Sequence, residues 1–392
     1  MNTQNTPIHI GLWHREFWQM AIANWLLNMS AYMLIPVMPL WLMETEHFTP
    51  AETGICMGVF GVGLYLLGCF CSFLVQHYRR HKVCIVAILA MTLSLGILYY
   101  ADSHPDIYVA KKVILLQRLL FGAFFGLAQM ILSSTLIIDT SESFQRTEAN
   151  YSAAWFSRFA LALGPLSGII LYRETGFLVT LASAIGCCAV AVVLINLVKF
   201  PFRAPEDVIR KMSLDRFFLP QGLWLYANML LVTTVMGLLM SSGLSDWFYG
   251  MMMVGFFLAI LAQRFVFPEA ELKSEIVSGL ILMGTSVVFM MAQGSQTLSY
   301  ISPLSLGLGL GIIGSRFLLF FIKLSRHCQR GTSQSMFMLS WETGLALGLF
   351  VGYTFLYDRQ QLLLTISLLL VAVALLLYNF FTHRWFISHK NR

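Results

Sequence analysis

Twelve stretches of this chain are long enough and apolar enough to cross a bilayer, and nothing else limits the fold as strongly. A hydrocarbon core of ~30 Å takes about 20 apolar residues as helix, and the stretches fall at roughly 17–43, 51–76, 83–100, 113–138, 149–171, 177–199, 220–242, 246–266, 275–292, 303–323, 333–356 and 361–382. Thr53–Gln76 and Gln360–Thr382 are apolar on both faces, whereas the strands of a β-barrel alternate apolar with polar residues. The expected fold is therefore an all-α polytopic membrane protein, and a composition of 58% hydrophobic and 11% charged residues agrees with it.

Charge placement orients the chain. With the termini inside, Arg15, Arg79, Arg80, Lys82, Arg146, Lys199, Arg210, Lys211, Arg216, Arg264, Lys273, Lys323, Arg326, Arg330 and Arg384 are among the basic residues of inner segments. The outer segments hold only Lys111, Lys112, Arg173 and Arg359. That bias predicts cytoplasmic termini, and with a bacterial source it predicts an inner-membrane protein. The net charge of +6 is thus spread by membrane side and not gathered on one surface, so no nucleic-acid partner is expected. Seven cysteines lie mostly inside spans without a CxxC pair, which signals neither a disulfide framework nor a metal site. No phosphate loop or nucleophile triad appears, so an enzyme and a bound cofactor both lack support.

The segment 200–219, FPFRAPEDVIRKMSLDRFFL, separates the six spans of residues 1–199 from the six of 220–392. It reads as a linker with an amphipathic run lying on lipid headgroups. Superposing Gln145-Arg146 on Gln329-Arg330 also superposes Ala162 on Ala346, Gly164 on Gly348 and Gly168 on Gly352. Spans five and eleven then correspond, as parallel repeats require, and Arg158 falls on Glu342.

At these residues the chain resembles the major facilitator superfamily. Arg118-Leu-Leu-Phe-Gly122-Ala-Phe-Phe-Gly126 is similar to that family's RxxxGxxxG motif, and Gly164-Pro165-Leu-Ser-Gly168 to its GPxxG antiporter motif. The loop motif between spans two and three is degraded: Gln76 stands where the family has Asp, although Arg80 remains. The resemblance implies two pseudo-symmetric six-helix halves, with Gly122, Gly126, Gly164, Pro165, Gly168, Gln76 and Arg80 in packing or gating. It also implies a part in proton coupling for Arg118.

Glu342 is read as the one acid deep in a span, and a charge there is costly unless it is paired or used. Depth counting places Arg158 and Arg316 at similar levels. Two arrangements are open for Glu342: a permanent pair with Arg316 that fixes packing, or a switchable acid with an arginine partner. If Arg118, Arg158 and Arg316 all face one cavity with it, an anionic cargo is favoured. Span one carries no acid, whereas members of the resembled family that export cationic drugs often place one there, so the resemblance disfavours cationic cargo. Its Asn24, Asn28 and Tyr32 are candidate binding residues, with Trp155 and Trp341 as an aromatic lining beside Arg158 and Glu342. Pro36 and Pro39 predict a bend in the outer end of the same span.

The resulting expectation is a monomeric, proton-coupled secondary transporter that exports a small amphipathic or anionic organic compound, with protons and membrane lipids as its other partners. Proton-symport uptake of an organic anion is the close alternative. A non-transporting receptor or scaffold is a reading from another class. A lipid flippase, opening laterally at spans seven and eight, is a further one.

Overall fold

The computed structural model describes residues 11–104, 110–200, 210–267, 270–292, 296–326 and 329–390. Among the described residues, twelve helices are long and apolar enough to span a membrane. The first six are α1 (Arg15–Glu44), α2 (Pro50–His77), α3 (Arg80–Ser103), α4 (Lys111–Asp139), α5 (Arg146–Thr175) and α6 (Phe177–Leu197). The second six are α7 (Pro220–Met240), α8 (Asp246–Phe265), α9 (Leu272–Met291), α10 (Gln296–Leu324), α11 (Arg330–Phe355) and α12 (Gln360–His389). Several run beyond the expected bounds, because a helix continues past the hydrocarbon wherever its polar end reaches water.

Two helices depart from regular geometry where the sequence gives a reason. In α1, Pro36 has no N–H for the Tyr32 carbonyl, and the helix breaks at Met33 into Arg15–Tyr32 and Leu34–Glu44. In α4, Leu132–Leu136 forms a wider π turn. Here Ser133 donates back to the Gln129 carbonyl at 2.7 Å and Ser134 to that of Met130, side-chain bonds that compete with the regular ladder.

Glycines set the helix pairing. A Cβ on Gly122 or Gly126 of α4 would collide with the Phe60 or Leu64 carbonyl of α2, and one on Gly63 with the Leu119 carbonyl of α4. The second half repeats the arrangement. Gly307 of α10 abuts the Met252 carbonyl of α8, Gly311 abuts Ala259, and Gly255 abuts the Leu304 carbonyl. Likewise Gly164 and Gly168 admit the Tyr32–Met33 backbone of α1 to α5, while Gly348 admits Thr234 of α7 to α11 and Gly352 admits Ser241, which directly follows α7. Small residues serve this way because apolar lipid gives no hydrophobic reason for helices to associate, which leaves close packing as the driving term.

The halves meet along two seams. On one, Gly54 and Gly58 of α2 pack against Thr354 and Phe350 of α11. On the other, Arg173 of α5 reaches Asp246 of α8 at 3.3 Å and Tyr151 donates to Gln263 at 2.5 Å. At the face that carries the chain ends, the linker is part of the contact. Residues 201–209, where most of the amphipathic run was expected, lie outside the described residues, but residues 215–219 turn inward. Asp215 accepts from Ser72 of α2 at 3.1 Å and from Thr332 of α11 at 3.0 Å, while Arg216 donates to Thr135 of α4 at 2.7 Å. Gln76 donates to Ser72 at 2.8 Å, within its own helix, and Arg80 pairs with Asp139 at 2.6 Å. The hydrogen-bonded crossing from one half to the other at this face therefore runs through Asp215 and through Arg216, whose backbone N–H also donates to Thr332 at 2.8 Å, with Gln76 reaching Asp215 by way of Ser72.

Replacing Asp215 with Ala removes the one carboxylate that accepts from both α2 and α11 here. Spin labels on the ends of these helices are expected to show a broader and longer distance distribution in Asp215→Ala than in the parent protein. An unchanged distribution would assign the contact to Arg216 and the neighbouring packing.

Candidate functional site

Breaking α1 at Met33 and packing the break on Gly164 and Gly168 fixes the position of Tyr32, whose hydroxyl donates to Oε1 of Glu342 on α11. This bond crosses between the halves. The same oxygen accepts from Gln129 of α4 at 3.4 Å, and Gln129 also donates to Oδ1 of Asn28 at 2.8 Å. Asn28 donates to the Asn24 carbonyl at 2.7 Å and to Ser157 at 3.2 Å, and Asn24 donates to Ser157 at 2.9 Å and to the Ala153 carbonyl at 3.2 Å. One network thus joins α1, α4 and α5 to the buried acid.

Glu342 is 2% exposed and its hydrogen-bond partners are uncharged. It separates two small enclosed cavities of about 20 Å³ each, and both Glu342 and Tyr32 line the two of them. Arg158 lines the first cavity and Arg118 the second.

The arginines are held without acids. Arg158 lies over the Trp155 ring at 4.6 Å, and Gly314 of α10 leaves the room that it and Trp341 fill. Its Nε, Nη1 and Nη2 are buried with no hydrogen-bond partner among the described residues. Arg118 lies 5.4 Å from the centre of Phe60 and 5.3 Å from that of Phe121, and its Nη2 contacts the Met57 sulfur at 4.0 Å. Its Nε and Nη1 are likewise unpartnered. Aromatic faces offset part of the burial cost of a cation, but a buried guanidinium still favours an anion.

Arg316 corrects the expectation of four charges around one cavity. It pairs with Glu275 of α9, Nε to Oε2 at 2.5 Å, and Glu275 is 1% exposed. Glu275 is the first residue of the span expected at 275–292, and burial between helices makes it a second enclosed acid. The pair joins α9 to α10 inside the second half, so Glu342 does not have Arg316 as its partner. Two cations and one acid remain at the centre.

Gln129, Ser133, Ser157 and Gln334 escape the sequence reading, yet all belong to the network or to the first cavity. A signal was present for two of them. Gln129 shares a helix face with Arg118 and Gly122, and Gln334 shares one with Met338, Trp341 and Glu342. Nothing in the local sequence separates Ser133 or Ser157 from a packing serine.

Among the described residues the chain is an all-helical bundle of twelve spans in two glycine-matched halves, with unpaired arginines and an acid at the centre, an arrangement that fits a membrane transporter. The model of the Major Facilitator Superfamily matches residues 20–349, and the chain belongs to that family. The fold is shared with PepTSo, a POT family transporter, at a TM-score of 0.70 and 13% identity over 97% of this chain and 100% of the other. It is shared with a bacterial homologue of the iron transporter ferroportin in an outward-facing state at 0.67 and 14%, over 95% and 99%. A mutant of the nucleoside transporter NupG gives 0.66 and 13%, over 94% and 100%. No curated protein matches the chain in sequence.

Because the Gly168 Cα faces the Met33 carbonyl, Gly168→Ala is expected to push α5 from the break in α1 and to destabilise by about 1–3 kcal/mol, the usual cost of overpacking. The check is the thermal unfolding midpoint of the purified protein, with Gly186→Ala, which meets nothing within 4 Å, as the control.

Proposed function

We propose that this transporter exchanges protons for a small amphipathic organic anion and exports it, by rocking of its two six-helix halves around the Tyr32–Glu342 contact. The observation that carries the reading is that Glu342 and Tyr32 form the wall between two cavities, each holding an unpaired arginine. As a carboxylate, Glu342 only accepts hydrogen bonds and holds the Tyr32 hydroxyl across the interface. A proton converts it to a donor, removes its charge and releases the requirement for Tyr32. Proton occupancy then sets how firmly the halves are joined, and the anion bound at Arg158 competes for the same local charge balance. Trp155, Trp341, Asn24 and Asn28 shape and order the binding side, and Arg118 balances the acid from the other cavity. The GPxxG resemblance supports export over uptake.

The basic residues on the end-bearing face support cytoplasmic termini, and the whole is consistent with a monomer in a bacterial inner membrane. Uptake by proton symport would use the same residues and differs in the sign of coupling. An apolar groove of about 560 Å³ between α2 and α11, with Ile55, Val62 and Leu347 exposed toward the membrane, favours a lateral entry route for an amphipathic cargo. It lies at another seam from spans seven and eight, where the flippase reading looked.

Proteoliposomes challenged with amphipathic anions, neutral compounds and cations supply the test. Anions are expected to drive proton movement opposite to their own, and Glu342→Gln is expected to reduce it to the background of empty vesicles. Tyr32→Phe is expected to retain binding and slow exchange by about tenfold, the loss of one hydrogen bond to a charged group. Proton movement in the same direction as the anion would establish symport. Undiminished movement in Glu342→Gln would make the acid a packing residue.

A further inference from the structure

We infer that the cargo carries a neutral hydrogen-bond donor, a hydroxyl or equivalent group, beside its anionic group, and that Gln334 selects for that donor while Arg158 holds the anion. This inference rests on the anion reading above and narrows it to hydroxylated organic acids.

Two side chains lining the first cavity have polar atoms that the protein leaves unbonded. Arg158 is 2% exposed, and its three guanidinium nitrogens have no partner among the described residues. Gln334 is also 2% exposed, and its amide oxygen is buried without a partner. A buried donor set and a buried acceptor are both costly to leave unmade, and they ask for opposite things. The planar fork of Arg158, backed by the Trp155 ring, suits a carboxylate or similar oxyanion. The carbonyl of Gln334 asks for an O–H or N–H.

Nearby protein groups are already committed. Ser133 donates to the Gln129 carbonyl, and Asn24, Asn28 and Ser157 bond one another. A cationic donor is disfavoured, because Glu342 is engaged by Tyr32 and Gln129 and Arg158 repels a second positive charge. Ala153, Phe337 and Met338 line the same cavity and suit a small apolar or aromatic body.

Placement of the pair adds a consequence for selectivity. Arg158 belongs to α5 in the first half and Gln334 to α11 in the second, so a ligand that bonds both spans the interface. With a cavity of about 20 Å³, the halves part to admit it and regain their contact around it. A plain acid satisfies only Arg158; a hydroxylated one satisfies both and favours closure.

The test is equilibrium binding to the full-length protein in nanodiscs, using matched pairs of small organic carboxylates that differ by one hydroxyl at several separations from the carboxylate. At one separation the hydroxylated member is expected to bind about tenfold more tightly, as one satisfied buried acceptor implies. Gln334→Met, similar in volume but without an amide, is expected to bring that ratio to about one. Arg158→Met is expected to weaken both members together. No hydroxyl preference in the parent protein, or a preference that survives Gln334→Met, would overturn the inference and leave the anion reading standing. Failure of every carboxylate to bind would overturn both.

Discussion

The hydrogen bond from Tyr32 to Glu342 joins the two halves in the middle of the membrane, and much of the surrounding geometry serves to place its two ends. An acid in a low-dielectric interior needs donors, and a tyrosine hydroxyl supplies one without adding a second charge. For Tyr32 to reach it, α1 breaks where Pro36 removes a backbone donor, and α5 approaches that break closely enough that a Cβ at Gly164 or Gly168 would collide with it. The same contact divides the central space in two and leaves one arginine on each side. Backbone, packing and charge therefore converge on one short stretch of the interface.

Glycine placement explains how halves with little common sequence keep one architecture. The α4–α2 contact through Gly122 and Gly126 and the α10–α8 contact through Gly307 and Gly311 bring backbone or small side chains together in the same way. The match is visible in sequence for spans five and eleven, where the glycines align directly. It is hidden for spans four and ten, because Arg118 has Pro303 as its counterpart four residues before Gly307. Packing asks only for the absence of a side chain at the crossing point, so the halves are free to differ in the polar residues that carry charge.

That freedom shows in the unequal distribution of buried charge. Arg118 and Arg158 in the first half rest on aromatic rings, whereas Arg316 in the second pairs with Glu275 inside its own half. A paired cation is neutralised and leaves the centre of the molecule. The unpaired ones are the groups able to respond to a ligand or to a proton on Glu342. The linker adds a separate contact at one face, where Asp215 accepts from both halves and Gln76 takes part only through Ser72.

The sequence alone determined the span number, the helical class, the family resemblance and the presence of an expensive acid at Glu342, because these follow from composition and spacing along single helices. It also named Tyr32, Asn24, Asn28 and Arg158 as candidate binding residues. Tertiary structure decided which charges face which. Arg316 and Glu342 lie on consecutive helices and look like partners in one dimension, but the rotation of α10 against α9 presents Arg316 to Glu275. Gln129, Ser157 and Gln334 acquire meaning only when α4, α5 and α11 converge, since a polar residue in a span is equally a packing group until its neighbours on other helices are known. Linear spacing records the face of a helix, and the interaction energy depends on what that face meets.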